Sequence, residues 1–288
     1  MFLLIFVGRI KCNAIFLWGE DLTMKKLTNQ LIGITSGRNF RELGGYQTLS
    51  GKTIKMHKLL RTGNLADLSP FDLDYLKDYG VKYVVDFRSQ EEVDHQPDRV
   101  PESAEYDFDP VFSEDLTNSS RSINDLDNQS KDDADFGFNH MLFAYEDMIR
   151  SKSAQNAYRK FFAKLMENDQ PSQSLIFHCT AGKDRTGFGA LLVLTALGVP
   201  LRTIKQDYLL TNITTKDFVD GMVEREKEKG KNENTLQSIR DIQSVHPEYI
   251  DHAIKVMTDD YGSINDYLRE VMQLSSADIM DLRRIYLD

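Results

Sequence analysis

The sequence predicts an α/β domain in which a central, mostly parallel sheet is flanked by helices and the second half of the chain is helix-rich. Three patterns predict it. From about residue 30, short β-like runs alternate with helical stretches; residues 58–86 read as strand, helix and strand; and nearly everything after Thr186 has helical periodicity. No Pro-, Gly- or Ser-rich linker divides the chain, so residues 24–288 are expected to form one domain.

Residues 1–23 stand apart as an extension. Their apolar run at 2–7 is cut by Arg9 and Lys11 before 15–18 resumes it, which is too short to span a bilayer and a poor signal peptide. Met24-Lys25-Lys26-Leu27 reads as an ordinary bacterial start, with Gly19-Glu20 as a translated ribosome-binding sequence, so Met1 and Met24 both stand as candidate starts.

Residues 58–61 read as a short strand. Residues 70–79 read as an amphipathic helix capped by Ser69 and ended by Gly80, and 81–86 as a β-branched strand. A strand–helix–strand unit of this kind suits parallel pairing. Another strand is expected near 106–112. Residues 113–135 gather Ser, Asn and Asp with few apolar anchors and are expected to be an acidic loop, either a solvated insertion or a lid over a site. Helices at 139–150 and 155–167, a strand at 174–178, and an apolar helix at 188–197 follow, with amphipathic helices to the end.

The formal net charge of −10 argues against a broad nucleic-acid surface, so any anionic ligand must meet a local positive site. Two cysteines, Cys12 and Cys179, exclude a disulfide framework. They make a reducing, cytoplasmic location the expectation, with secretion also compatible. The sequence carries no signal for an oligomeric state.

The chemistry concentrates in His178-Cys179-Thr180-Ala181-Gly182-Lys183-Asp184-Arg185-Thr186-Gly187, a strand running through a tight loop into an apolar helix. Five residues separate Cys179 from Arg185. The N–H groups of Thr180, Ala181, Gly182, Lys183 and their successors can turn into that arc, and the following helix adds its unpaired N-terminal donors. The product is a cradle for a tetrahedral dianion, closed by the planar fork of Arg185.

A cysteine beside cations or a helix N-terminus can fall from a pKa of about 8.5 to roughly 3.5–7.5, so Cys179 is expected to attack phosphorus as a thiolate and form a phosphocysteine. No metal and no cofactor is needed. Asp184 is the first candidate for protonating the leaving oxygen. The Trp-Pro-Asp motif that carries this acid in many cysteine phosphatases is absent, since the one tryptophan is Trp18, and Asp147 is the second choice. Lys183 is expected to add positive potential at the mouth, Thr186 to hydrogen-bond Cys179, and His178 to donate to a carbonyl or to the cysteine's surroundings. The segment lacks the glycine and serine positions of a nucleotide-binding P-loop and the paired Cys/His of a zinc site.

These residues resemble the signature of the bacterial tyrosine phosphatase family that includes mycobacterial protein tyrosine phosphatase B and the Listeria lipid phosphatase. The resemblance extends to Asn39-Phe40-Arg41-Glu42-Leu43-Gly44-Gly45, with Glu42 where the family has aspartate, and to blocks at 61–65, 86–89, 207–212 and 261–268. It implies a phosphatase-type α/β fold and Asp184 as general acid. It implies Asp86 and Arg88 as braces of the loop, with Arg38 and Arg41 at its mouth. The substrate it implies is a phosphorylated protein or peptide, or alternatively a phosphoinositide or inositol phosphate. A phosphate-binding module without turnover is the remaining reading, and the presence of Cys179, Asp184 and Arg185 together argues against it.

Overall fold

A computed structural model describes residues 33–117 and 123–288, residue 124 by its backbone alone. The expectations for residues 1–23 fall outside the described residues. Among the described residues five strands form one sheet in the order β1-β2-β5-β3-β4. They are β1 Arg41–Glu42, β2 Leu59–Thr62, β3 Val81–Asp86, β4 Glu105–Phe108 and β5 Ser174–His178. Only β1 runs antiparallel, to β2.

Strands buried on both faces need apolar side chains at odd and even positions alike. Leu59, Val85, Leu175 and Phe177 enter the larger core, and Leu60, Val84 and Ile176, their neighbours in sequence, enter the smaller one. Helix α1 (Pro70–Asp78) covers the smaller core through Leu76. Its start is fixed by Ser69, whose Oγ accepts from Asp72 N at 3.1 Å, a cap worth about 1 kcal/mol. Gly80 ends it at φ +91°, where a Cβ would lie 2.4 Å from Ser172 O.

The larger core is closed by α4 (Phe136–Arg150), α5 (Lys152–Glu167) and α6 (Arg185–Leu197). Helix α6 is apolar nearly all round because it lies inside the domain, wrapped by the helices that follow it. Those are α7 (Leu201–Thr214), α8 (Lys216–Glu228), α9 (Glu233–Gln243), α10 (Pro247–Tyr261), α11 (Ile264–Glu270) and α12 (Ser276–Tyr286). The short α2 (Gln90–His95) follows β3. Among the described residues no helix is long and apolar enough to cross a membrane.

Two expectations change. The strand near 106–112 ends at Phe108, after which Asp109 N and Val111 N bond to Asp86 O and Phe87 O and turn the chain over the sheet. The acidic stretch is not all loop: α3 (Ile123–Ser130) lies within it. This helix is held by α9 and its lead-in, through Thr235 Oγ1 and Lys231 Nζ on the two oxygens of Asp127 at 2.6 and 2.8 Å.

Candidate active site

β2, β5 and β3 end in register, with Thr62 and Asp86 both beside His178, and the chain leaves β5 as Cys179. This edge, at the carboxyl ends of parallel strands, is where open α/β sheets bind ligands. Arg185 is the first residue of α6, so the loop 179–184 curls around the unpaired N–H groups of a helix start.

What shapes the loop is how its carbonyls are held. Thr180 O accepts from the backbone and the side chain of Asn64 at 3.0 and 3.3 Å. Asn39 Nδ2 reaches Ala181 O at 3.0 Å and Gly182 O at 2.9 Å, and Arg61 Nη2 also donates to Gly182 O at 2.9 Å. Since C=O and the next N–H point opposite ways in a trans peptide, tying these three carbonyls outward turns the N–H groups of 181–183 inward. Gly182 sits at φ +68°, and a Cβ there would meet Thr62 O at 2.2 Å. Asn39 is itself at φ +59°, a conformation asparagine tolerates, and its Oδ1 accepts from Arg41 Nη1 at 2.5 Å and Thr214 Oγ1 at 2.6 Å.

Behind this scaffold Asp207 of α7 joins two buried arginines, with Oδ1 2.8 Å from Arg41 Nε and Oδ2 2.5 Å from Arg61 Nη1. Burial opposes its charge, but the two guanidinium groups prevail and hold its carboxyl at about 2. Arg41 therefore does not line the mouth. It is fully buried because Asp207 and Asn39 consume its donors. Arg38 is part exposed and stacks over Phe218 at 4.6 Å.

Arg185 is fully buried. Glu92 of α2 meets its Nη1 and Nη2 at 2.6 and 2.8 Å, and Thr117 Oγ1 and Asp115 Oδ1 stand 3.3 and 3.6 Å from Nη2. Arg185 Nε is buried with no hydrogen-bond partner among the described residues. The acidic stretch thus reaches the site: Asp115 and Thr117 are buried against Arg185, and His140 Nε2 lies 2.8 Å from Leu116 O between them. Glu92 also accepts from Thr180 Oγ1. Burial works against its charge, yet Arg185 and these hydrogen bonds hold it at about 2.

Two expectations for the loop are corrected. Lys183 is not at the mouth: it is wholly buried, with Nζ 2.6 Å from Asp184 Oδ2 and donating also to Ile242 O, because the end of α9 closes over it. Thr186 Oγ1 is buried and makes no hydrogen bond among the described residues, to Cys179 or otherwise. Asp184 is buried, its Oδ1 accepting from Tyr145 OH at 3.1 Å. Tyr145, rather than Asp147 of the same helix, makes that contact.

On the other side of Cys179, His178 Nδ1 lies 3.2 Å from Cys179 O and its Nε2 3.1 Å from Asp98 Oδ2. Burial disfavours its cation, but Asp86 and Asp98 push its pKa up to about 9. Arg88 pairs with Asp86 and Asp98, at 2.7 Å in each case. The ligand atoms of Asp86, Asp98 and His178 lie within 4.8 Å of one another, spacing a cation would accept. The Arg88 guanidinium already bridges the two carboxylates, so the group balances two negative charges with two positive ones.

Sequence reasoning missed Glu92, Asp98 and Tyr145, and it carried Asn64 and Asp207 only within the family-like blocks at 61–65 and 207–212, without a role. For Glu92 the local signal was Ser89-Gln90-Glu91-Glu92, a capping-box pattern that explains α2 and says nothing of Arg185.

A family model described as the tyrosine phosphatase family matches residues 32–288. A candidate tyrosine-protein phosphatase of Cupriavidus necator is 31% identical over 251 residues, 86% of this chain and 85% of the relative. The triple specificity protein phosphatase PtpB of Mycobacterium tuberculosis is 26% identical over 270 residues, 86% of this chain and 96% of its own. A tyrosine-protein phosphatase of Nostoc commune is 27% identical over 158 residues, 53% of this chain and 47% of its own.

Proposed function

The chain belongs to the tyrosine phosphatase family, and from that premise we propose that it hydrolyses phosphotyrosine in proteins through a phosphocysteine on Cys179. The observation that carries this reading is the buried Nε of Arg185, without a partner among the described residues, beside a loop whose amides face inward. A buried donor without an acceptor is costly, by about 1–3 kcal/mol, unless a ligand completes it. With Glu92 on the Nη1–Nη2 end and Thr117 Oγ1 also at Nη2, Nε is the guanidinium donor left for a phosphoryl group.

In the first step Cys179 Sγ attacks phosphorus in line. The S–P bond forms as the ester P–O bond breaks, and Asp184 gives its proton to the leaving phenolate oxygen. Water then attacks the phosphocysteine, Asp184 takes a proton back, and thiolate and inorganic phosphate leave. Loop amides and Arg185 stabilise the equatorial oxygens in both steps.

The rival substrate, an inositol phosphate, asks for extra cations around the cradle. Lys183, the lysine that would serve it, is buried against Asp184, and this favours an ester with a single phosphate. The test is parallel turnover of phosphotyrosine peptides and phosphoinositides by the wild type and Cys179→Ser. Peptide turnover abolished in the variant, with phosphate binding kept, supports the reading; activity surviving the change, or much faster lipid turnover, overturns it.

A further inference from the structure

Asp184 lies at the end of a buried chain of hydroxyls. Tyr145 OH of α4 donates to its Oδ1 at 3.1 Å and lies 2.7 Å from Tyr208 OH of α7. Each phenol has one hydrogen, so with Tyr145 committed to Asp184, Tyr208 donates to Tyr145. All three residues are 1% exposed. Tyr208 reaches this position over the start of α6, where a Cβ on Gly187 would stand 3.1 Å from its ring. The glycine after Arg185-Thr186 thus makes room for the second hydroxyl.

We propose that Tyr145 and Tyr208 are positioning residues for Asp184, a two-hydroxyl chain that fixes the carboxyl for proton delivery and stabilises the carboxylate it becomes. The inference rests on Asp184 as the proton donor. Burial, reinforced by Asp184 nearby, drives both phenols well above their ordinary pKa, so they stay protonated and can only donate toward the carboxylate. The other groups around Asp184 are Lys183 of its own loop on Oδ2, Arg61 of β2 beyond Tyr208, and Tyr249 of α10, which packs on Tyr145 at 5.8 Å and donates to Asp241 O of α9. Among the described residues only Tyr145 hydrogen-bonds to Oδ1, and a Phe there removes one oxygen without changing the packing shape.

The sign follows from the donor. Losing it removes a hydrogen bond to the carboxylate that proton transfer leaves behind, so the transfer is less favourable and the alkaline limb of the variant's profile moves to higher pH. The experiment compares pH profiles of kcat/KM for phenyl phosphate, a poor leaving group, and 2,4-dinitrophenyl phosphate, a good one. Wild type, Y145F, Y208F, the double variant and D184N are measured. With phenyl phosphate, Y145F should move the alkaline limb up by about one pH unit and lower the plateau about tenfold. Y208F should do the same more weakly, and the double variant should match Y145F, as expected of groups acting in series. The dinitrophenyl ester should change less than about twofold. If D184N abolishes the limb while Y145F leaves it in place, or if Y145F lowers only Tm, the chain has no positioning role and the proposal falls. If D184N itself keeps the limb and loses equally on both esters, Asp184 is not the donor and both readings fall.

Discussion

Glu92 meets Arg185 end-on, with Oε2 2.6 Å from Nη1 and Oε1 2.8 Å from Nη2, across 93 residues of sequence. The same carboxylate caps its own helix through Ser89 N at 2.9 Å and accepts from Thr180 Oγ1, so one side chain ties α2, the loop and the clamp together. Glu92→Gln keeps the shape but offers one oxygen where Arg185 needs two. The guanidinium then loses its fixed plane, and affinity for a dianion should fall more than the rate of the bound complex. We expect KM for an aryl phosphate, and Ki for inorganic phosphate, to rise about tenfold with a smaller change in kcat. Glu92→Ala leaves a buried cation uncompensated and should also cost about 3–5 kcal/mol in urea unfolding. Equal KM values would refute the positioning role.

A second prediction concerns Asp109, just past β4. It is 1% exposed, neither of its oxygens has a hydrogen-bond partner among the described residues, and only Lys160 Nζ approaches, at 3.5 Å. Burial pushes its pKa up to about 7, against the pull of Lys160. The unfolded carboxyl releases its proton near pH 4, so between about pH 4 and 7 the folded state holds the extra proton and stability falls as pH rises. Asp109→Asn removes that slope. Urea midpoints at pH 5 and pH 8 should separate in the wild type by more than in the variant. Parallel curves would mean that Asp109 is ionised in the fold throughout this range.

How much of this was legible depended on sequence distance. β3 and β5 were readable because each is an apolar run bounded by a helix stop or a tight loop, and Cys179 and Arg185 because their relation is local. β1 is two residues long and exists only through its partner β2. α3 was unreadable as a helix because Asp and Asn crowd it, and Leu126 is its one buried apolar residue. What stabilises it lies 104 and 108 residues away, at Lys231 and Thr235. Lys183 looked solvated for the same reason: the Ile242 carbonyl that receives it belongs to a helix 59 residues on. The residues that aim the loop, Asn39, Arg61 and Asp207, stand in the family-like blocks of the sequence, but only the fold gives them roles.

Asp207 makes the strongest case for such remote control. It makes no hydrogen bond to the loop among the described residues, yet Arg61 donates to it through Nη1 and to Gly182 O through Nη2, while Arg41 donates to it and to Asn39, which holds Ala181 O and Gly182 O. Asp207→Asn leaves two buried guanidinium groups facing one neutral amide, and Arg61 already feels both burial and the repulsion of Arg41. The expected loss is about 3–5 kcal/mol of folding stability. Because the arginines must then spread apart, the carbonyl anchors of the loop move with them. Inward amides lose their aim, so Ki for vanadate or phosphate should rise in the folded fraction, at temperatures well below the variant's melting point. Asp207→Glu, which keeps the charge but lengthens the reach, should recover stability better than inhibitor affinity. A variant Asp207→Asn that melts early yet binds oxyanion like the wild type would show that the Asp207 pair supports the core alone and that Asn39 and Asn64 suffice to aim the loop.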